Sequence, residues 1–182
     1  MGSAVIIPPG GNSVLLNKTG QGTVTAFAIK INGFDSLSFD AKKAVLENLK
    51  LSITIDGDNT AQQAPFGSIF ARTYYDSTTP NLETRFVGTK QGGIFYLTYP
   101  MAYSGGISIS LNNSGATQVS VAAGSIQSAY PSCSGGESIG RFSLDSSKET
   151  APTGTMFTAI NKSGTGGKIA GISYMGWGEG SY

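Results

Sequence analysis

An all-β domain, folded as an antiparallel sandwich or barrel, is the architecture that this sequence predicts. Apolar residues recur at every second position in segments 49–55 and 107–111, which is the period of a strand with one face in a core. Glycine-rich turn signals such as Gln91-Gly92-Gly93 and Ser104-Gly105-Gly106 separate these segments. About ten short strands joined by tight turns are typical of antiparallel sandwiches and barrels.

The strand pattern extends over most of the chain. In Thr23–Ile31 the residues Phe27, Ile29 and Ile31 share one face, and Ala26 and Ala28 lie on the other, which predicts that the second face is covered too. The predicted strands, in order, are Ser13–Leu16, Thr23–Ile31, Leu49–Ile55, Thr84–Val87, Ile94–Tyr99, Ile107–Leu111, Gln118–Ala122, Ile139–Leu144, Met156–Ile160 and Lys168–Tyr174.

Two segments depart from the strand pattern. Phe39–Leu49 predicts a helix with Asp40 as its cap and Ala44, Val45 and Leu49 facing inward, or else a lead into the next strand. Asp56-Gly57-Asp58-Asn59 predicts a hairpin turn capped by its aspartates, because it lacks the further ligands of a calcium loop. Asp35, Asp40 and Asp145 are isolated and are expected to cap turns. We predict one domain over residues 1–182, with residues 1–3 resembling a cloning remnant.

The composition excludes several classes of function. Twelve Lys and Arg residues oppose 11 Asp and Glu residues, which gives a net charge of +1 and no basic patch for nucleic acid or a membrane surface. The sequence has no histidine, which rules out catalytic serine–histidine and cysteine–histidine pairs and histidine-bound metals. A single cysteine, Cys133, is interpreted as a loop residue. We therefore expect no cofactor and no metal, and a neutral surface that suits glycans or copies of the chain itself.

The segment Gly176-Trp177-Gly178-Glu179-Gly180 is the strongest candidate site. Glycines on both sides of Glu179 let the backbone approach another molecule closely, and they hold the carboxylate in a defined place. Trp177 is either a core residue or an anchor against another subunit. Tyr74 and Tyr75, with the cluster Tyr96, Tyr99 and Tyr103, offer aromatic faces that suit sugar rings, or else they fill the core or a subunit seam.

Seven segments in order resemble one family. They are Ile7-Pro8-Pro9-Gly10-Gly11, Thr19–Val24, Leu49–Gly57, Pro65–Phe70, Tyr99–Tyr103, Ser163–Gly171 and Trp177-Gly178-Glu179-Gly180. Together they resemble the jelly-roll domain of the fructofuranosidase and difructose-dianhydride-hydrolase family. The resemblance implies a jelly-roll sandwich. It also implies relatives with two jelly rolls per chain, trimeric assembly and a likeness in shape to double-jelly-roll viral capsid proteins.

The family's glycosidase chemistry requires two carboxylates, of which Glu179 matches one. The second carboxylate, with the second jelly roll, is expected to be missing from this chain. Ser68 stands where the family has an acidic residue, the region Gly167-Lys168-Ile169 replaces a histidine, and Ala26-Phe27-Ala28 replaces polar and aromatic positions. One carboxylate without a partner cannot supply both an acid and a nucleophile.

Three functions follow as hypotheses. The first is a non-enzymatic structural protein of a virion, such as a capsid, spike or fibre component, that assembles with itself, as a trimer or a dimer, and with other virion proteins. The second is a glycosidase, or a piece of one, that completes its site across a subunit interface, with Glu179 facing Glu137, Asp145 or Glu149. The third is a glycan-binding tip that uses Tyr74, Tyr75 and Trp177. The expected location is the virion or the extracellular space, without nucleic-acid or membrane partners.

Overall fold

The structure of the protein is a computed structural model, and it describes residues 1–70 and 83–128. Within these residues, ten strands form two antiparallel sheets. The strands are β1 Val5–Ile7, β2 Asn12–Thr19, β3 Gly22–Ile31, β4 Leu49–Ile55, β5 Asp58–Pro65, β6 Val87–Lys90, β7 Ile94–Leu97, β8 Met101–Tyr103, β9 Gly106–Asn113 and β10 Val119–Ser128. Two short helices, α1 Phe39–Asn48 and α2 Phe66–Ile69, and the 3-10 turn Phe34–Ser36 complete this part of the chain.

The strand order confirms the jelly roll. One sheet, called the β3 sheet, runs β1-β10-β3-β7-β6, and β8 also pairs with β3. The other, called the β4 sheet, runs β2-β9-β4-β5. Neighbours along the chain such as β1 and β2, or β3 and β4, thus alternate between the two sheets. Eight of the ten described strands, in the orders β1-β10-β3-β7 and β2-β9-β4-β5, follow the arrangement of a double-sheet jelly roll, and β6 and β8 add to the β3 sheet.

The core lies between the two sheets. The alternation of apolar and polar residues along the strands predicted which side chains face it. Leu49, Leu51, Ile53 and Ile55 are at most 1% exposed, and so they form the inner face of β4 as predicted. The inner face of β3 is also buried. One end of the core is aromatic, with packed rings from Phe34, Phe66, Phe70 and Phe95.

The predicted helix is present, but two details of the prediction are wrong. Ser38, not Asp40, is the cap, because its Oγ accepts a hydrogen bond from the Ala41 amide at 3.3 Å. Asp40 lies in the first helical turn instead. Ala44 is exposed, and Leu46 is the apolar residue that α1 buries.

Several strand boundaries also differ from the prediction. The strand expected at Thr84–Val87 begins only at Val87, because the Thr84 hydroxyl accepts hydrogen bonds from the Phe86 and Val87 amides and forms a local turn. The strands β1, β5 and β8 were not predicted. The strands expected at 139–144, 156–160 and 168–174 lie outside the described residues. No helix in the described ranges is long and apolar enough to cross a bilayer.

Candidate functional site

The residues that the sequence singled out most strongly lie outside the described part of the chain. Glu179, Trp177, Tyr74 and Tyr75 all fall within 71–82 or 129–182. The same is true of Cys133 and of the proposed partner carboxylates, Glu137, Asp145 and Glu149. Their roles therefore stay predictions.

Among the described acidic side chains, Asp56 has the densest hydrogen bonding. It occupies the β4–β5 hairpin with φ 53°, and Gly57 follows with φ 85°, so the predicted hairpin turn is confirmed. The prediction that Asp56 caps its own turn is wrong, because its carboxylate accepts hydrogen bonds from another turn. Its carboxylate accepts the amides of Ser104 at 2.9 Å, Gly105 at 2.6 Å and Gly106 at 3.0 Å, and also the Ser104 hydroxyl at 3.0 Å. Asp56 thus fastens the β4–β5 turn to the β8–β9 turn.

These donors also set the charge of the Asp56 carboxylate. Partial burial raises its pKa, but the amides of Gly105, Gly106 and Ser104 and the Ser104 hydroxyl outweigh that effect, so the pKa of Asp56 lies below its ordinary value. A carboxylate held ionised by so many donors is a poor proton donor for a leaving group. Its arrangement indicates a structural role.

Asp35 has a similar role on a second loop. Its Oδ2 accepts the Gly92 amide at 2.6 Å, which joins the 3-10 turn to the β6–β7 hairpin and agrees with the expectation that Asp35 caps a turn. In residues 1–70 and 83–128, no three acidic, cysteine or histidine side chains come together as metal ligands.

The described tyrosines do not form an open platform for sugar rings. Tyr103 is 7% exposed and belongs to the core. Tyr96 has Lys90 over its ring at 5.4 Å and donates its hydroxyl to the Thr84 carbonyl at 3.1 Å. Burial and the nearby Glu83 carboxylate raise the pKa of Tyr96. Tyr99 packs on Phe86 with ring centroids 5.3 Å apart.

An apolar edge of the sandwich is the surface feature that sequence reasoning missed. Among residues 1–70 and 83–128, β1 ends the β3 sheet and β2 ends the β4 sheet, and the two strands lie in contact. Val5 is 39% exposed, Ile6 61% and Val14 56%. We call these three residues and their strands the β1/β2 edge. The sequence feature that could have predicted this edge is the apolar run Ala4-Val5-Ile6-Ile7. It is too short for a targeting segment, but its length fits an edge strand.

Comparison with known proteins identifies a family. A family model described as GH172 domain-like matches residues 2–126, the span that builds the jelly roll. No curated protein matches the chain. The match ends before the segments 163–171 and 177–180, so Glu179 lies outside it. Since the match covers more than half of the chain, this protein belongs to the GH172 domain-like family, a glycoside hydrolase 172-like group.

Proposed function

We propose that this chain is a non-enzymatic structural protein that assembles with copies of itself through the β1/β2 edge. The observation that carries the proposal is the exposure of Ile6 on β1, the strand that ends the β3 sheet among the described residues. An edge strand has one side on which its backbone N–H and C=O groups are not paired. When it also exposes large apolar side chains, it offers a partner both hydrogen-bonding groups and apolar area, so most proteins protect such a strand or cover it with another element.

Within this edge, β1 lacks the usual protection against pairing, whereas β2 carries Lys18. Natural edge strands carry lysines, prolines or inward-pointing charges that discourage contact with another strand. Val5–Ile7 has none of these, and proline appears only afterwards, at Pro8. A second copy that pairs its β1 antiparallel to this β1 makes a closed two-fold contact. The net charge of +1 adds little repulsion between copies.

The described carboxylates fit this structural role. Asp56 and Asp35 accept backbone amides and join loops, which gives the sandwich rigid turns rather than a reactive group. A virion setting stays a prediction from the earlier resemblance, and so does a trimer. A dimer is the assembly expected from the edge itself.

Replacing Ile6 by lysine tests the edge. We expect the full chain to have a mass in solution that is a multiple of 18.8 kDa, and Ile6→Lys to shift it to the monomer. The reason is that burial of each aliphatic side chain contributes about 1.5–3 kcal/mol, whereas a buried lysine opposes association. Light scattering at micromolar concentration measures the mass.

Ile126→Lys is the matched control, because Ile126 is 65% exposed but lies opposite Ala26, five residues beyond the part of β10 that pairs with β1. It should keep the mass of the wild type. A wild-type chain that is already a monomer, or equal masses for Ile6→Lys and the wild type, would reject the edge contact.

A glycosidase is the second candidate, and the GH172 domain-like match favours it. On this alternative, Glu179 faces a carboxylate across a subunit interface. Aryl fructofuranosides and arabinofuranosides would be hydrolysed by the wild type, and Glu179→Gln would lower the rate by at least a hundredfold. On the structural proposal, neither protein releases the aryl group above the buffer rate.

A further inference from the structure

The hydrogen bonds of β10 show which way the backbone of β1 faces. The Ser120 carbonyl accepts the amide of Asn32, the residue after β3, at 2.9 Å, so Ser120 directs its backbone groups towards β3. Successive residues of a strand direct their N–H and C=O groups to opposite sides, so the two neighbours of Ser120 direct theirs towards β1. The Ala123 carbonyl follows the same alternation, because it accepts the Gly2 amide at 2.7 Å.

Ile6 is therefore the residue of β1 whose backbone groups face away from β10. Val5 and Ile7 lie opposite the two residues of β10 that face β1, and Ile6 lies opposite Ser120. The N–H and C=O of Ile6 thus point to the side of β1 on which no described strand pairs with it. Its side chain, which is 61% exposed, lies on the outer face of the β3 sheet, because the neighbouring Ile7 side chain is in the core.

The other edge strands in residues 1–70 and 83–128 are less suited to pairing. β2 carries Lys18 and has a register shift after Val14. β5 has two register shifts against β4, a φ of 45° at Gln63 and Pro65 at its end. β6 ends at the exposed Lys90. Charges, prolines and bulges discourage the addition of a strand, and β1 has none of these features.

A second copy of β1 is complementary to this edge, because Ile6 supplies both a donor and an acceptor. Two antiparallel copies with Ile6 opposite Ile6 exchange both N–H···O=C bonds of that residue across a two-fold axis. Their Cα atoms then lie about 5.5 Å apart, and the two exposed side chains contact each other on one face. Val5 lies opposite Ile7 of the other copy, so its exposed area is covered as well.

The other registers satisfy fewer of these groups. A shift by one residue sets Ile6 opposite Val5 or Ile7 of the second copy, whose backbone groups face β10 instead. A shift by two residues sets Ile6 opposite Pro8, which has no N–H, or opposite Ala4, which lies outside β1.

We propose that two copies of the chain pair through β1 with Ile6 opposite Ile6, so that the two β3 sheets continue across a two-fold axis. This inference rests on the proposed self-assembly and adds its register. A second copy is the occupant because the same strand supplies every matching group, and β1 carries no charge that would repel its copy. A contact centred on one residue is small, so the dimer should dissociate on dilution.

Hydrogen exchange of single amides in the full wild-type chain, measured by NMR after quenching, tests the pairing. The Ile6 amide should exchange at least tenfold more slowly in the dimer than in a sample diluted to the monomer. The Ile7 amide, which faces β10 within one copy, should keep its protection in both samples. An Ile6 amide that is protected in the monomer, or that exchanges fast in the dimer, overturns this pairing. A monomer at every concentration rejects the proposed function, and this pairing with it.

Proline at position 6 removes the proposed donor. Ile6→Ala is the matched control, because both variants shorten the side chain but only proline lacks the N–H, and proline is tolerated on an edge strand where the N–H is unpaired. We expect a dimer dissociation constant at least tenfold higher for Ile6→Pro than for Ile6→Ala, with the same midpoint of unfolding in urea. Equal dissociation constants, or a lower midpoint for Ile6→Pro alone, would overturn the pairing.

Nuclear Overhauser effects between copies measure the register directly. Wild-type chains labelled with ¹³C are mixed with unlabelled chains at a concentration where the dimer forms. Isotope-filtered spectra should join the Ile6 side chain of one copy to Ile6 of the other. Contacts from Ile6 to Ala4 or to another strand in their place would overturn this register and leave the proposed self-assembly standing.

Discussion

Phe95→Ala is expected to lower the free energy of unfolding by about 3–5 kcal/mol, the usual cost of removing a buried phenylalanine ring. Phe95 is 1% exposed and lies at the centre of the aromatic cluster. Its ring centroid is 5.3 Å from Phe34, 4.8 Å from Phe66 and 5.5 Å from Phe70, in edge-to-face contacts. Because β7, α2 and the 3-10 turn meet on this ring, the cavity left behind cannot be filled by one neighbour.

Chemical denaturation of the full chain measures this effect. Phe39→Ala is the matched control, since Phe39 is 37% exposed at the start of α1 and should cost much less. Equal losses of unfolding free energy in Phe95→Ala and Phe39→Ala would show that the aromatic cluster does not stabilise this end of the sandwich.

Asp56→Asn is expected to destabilise the fold by about 1–3 kcal/mol. Asparagine keeps the shape but replaces one carboxylate oxygen by an NH₂ group, which faces donors instead of accepting from them. The Ser104, Gly105 and Gly106 amides then compete for a single acceptor. Glu47→Gln is the control, because it is the Glu47 backbone carbonyl that accepts from Lys50. The urea concentration at the midpoint of unfolding should be nearly the same for Glu47→Gln as for the wild type.

The same carboxylate predicts an acid dependence of stability. The pKa of Asp56 is lowered in the folded state from its ordinary value of 3.8, so the ionised form stabilises the fold at any pH above that value. This contribution is lost as the pH falls through the folded pKa. The difference in unfolding free energy between the wild type and Asp56→Asn should therefore shrink below pH 3.8. A difference in unfolding free energy that stays constant down to pH 2 would contradict a stabilising role of the ionised Asp56 carboxylate.

The sequence predicts this fold well where burial decides local structure. β3, β4 and β9 alternate between core and solvent, and their predicted positions are confirmed. β5 was missed because Asp58–Pro65 is mostly polar and becomes a strand only by pairing with β4 at a sheet edge. The helix cap was misplaced because Ser and Asp are both good caps, and the choice depends on the backbone: Ser38 is extended, with φ −62° and ψ 163°, whereas Asp40 is already in the first turn.

The candidate site was harder to predict for a physical reason. The sequence drew attention to Glu179 and the tyrosines by their chemistry, whereas the apolar edge depends on which strand ends a sheet. Ile6 and Ile7 are identical in type and adjacent, yet Ile7 is 0% exposed and Ile6 is 61% exposed. That difference follows from the pairing of β1 with β10, which local sequence does not contain.

The molecular mass of the full wild-type chain between about 1 and 100 µM, a range in which self-association of ordinary strength is visible, is the most direct test of the structural proposal. Sedimentation velocity should show a species of at least twice 18.8 kDa that dissociates on dilution or when Ile6 becomes lysine. A single 18.8 kDa species at every concentration would contradict a protein built to assemble through its β1/β2 edge.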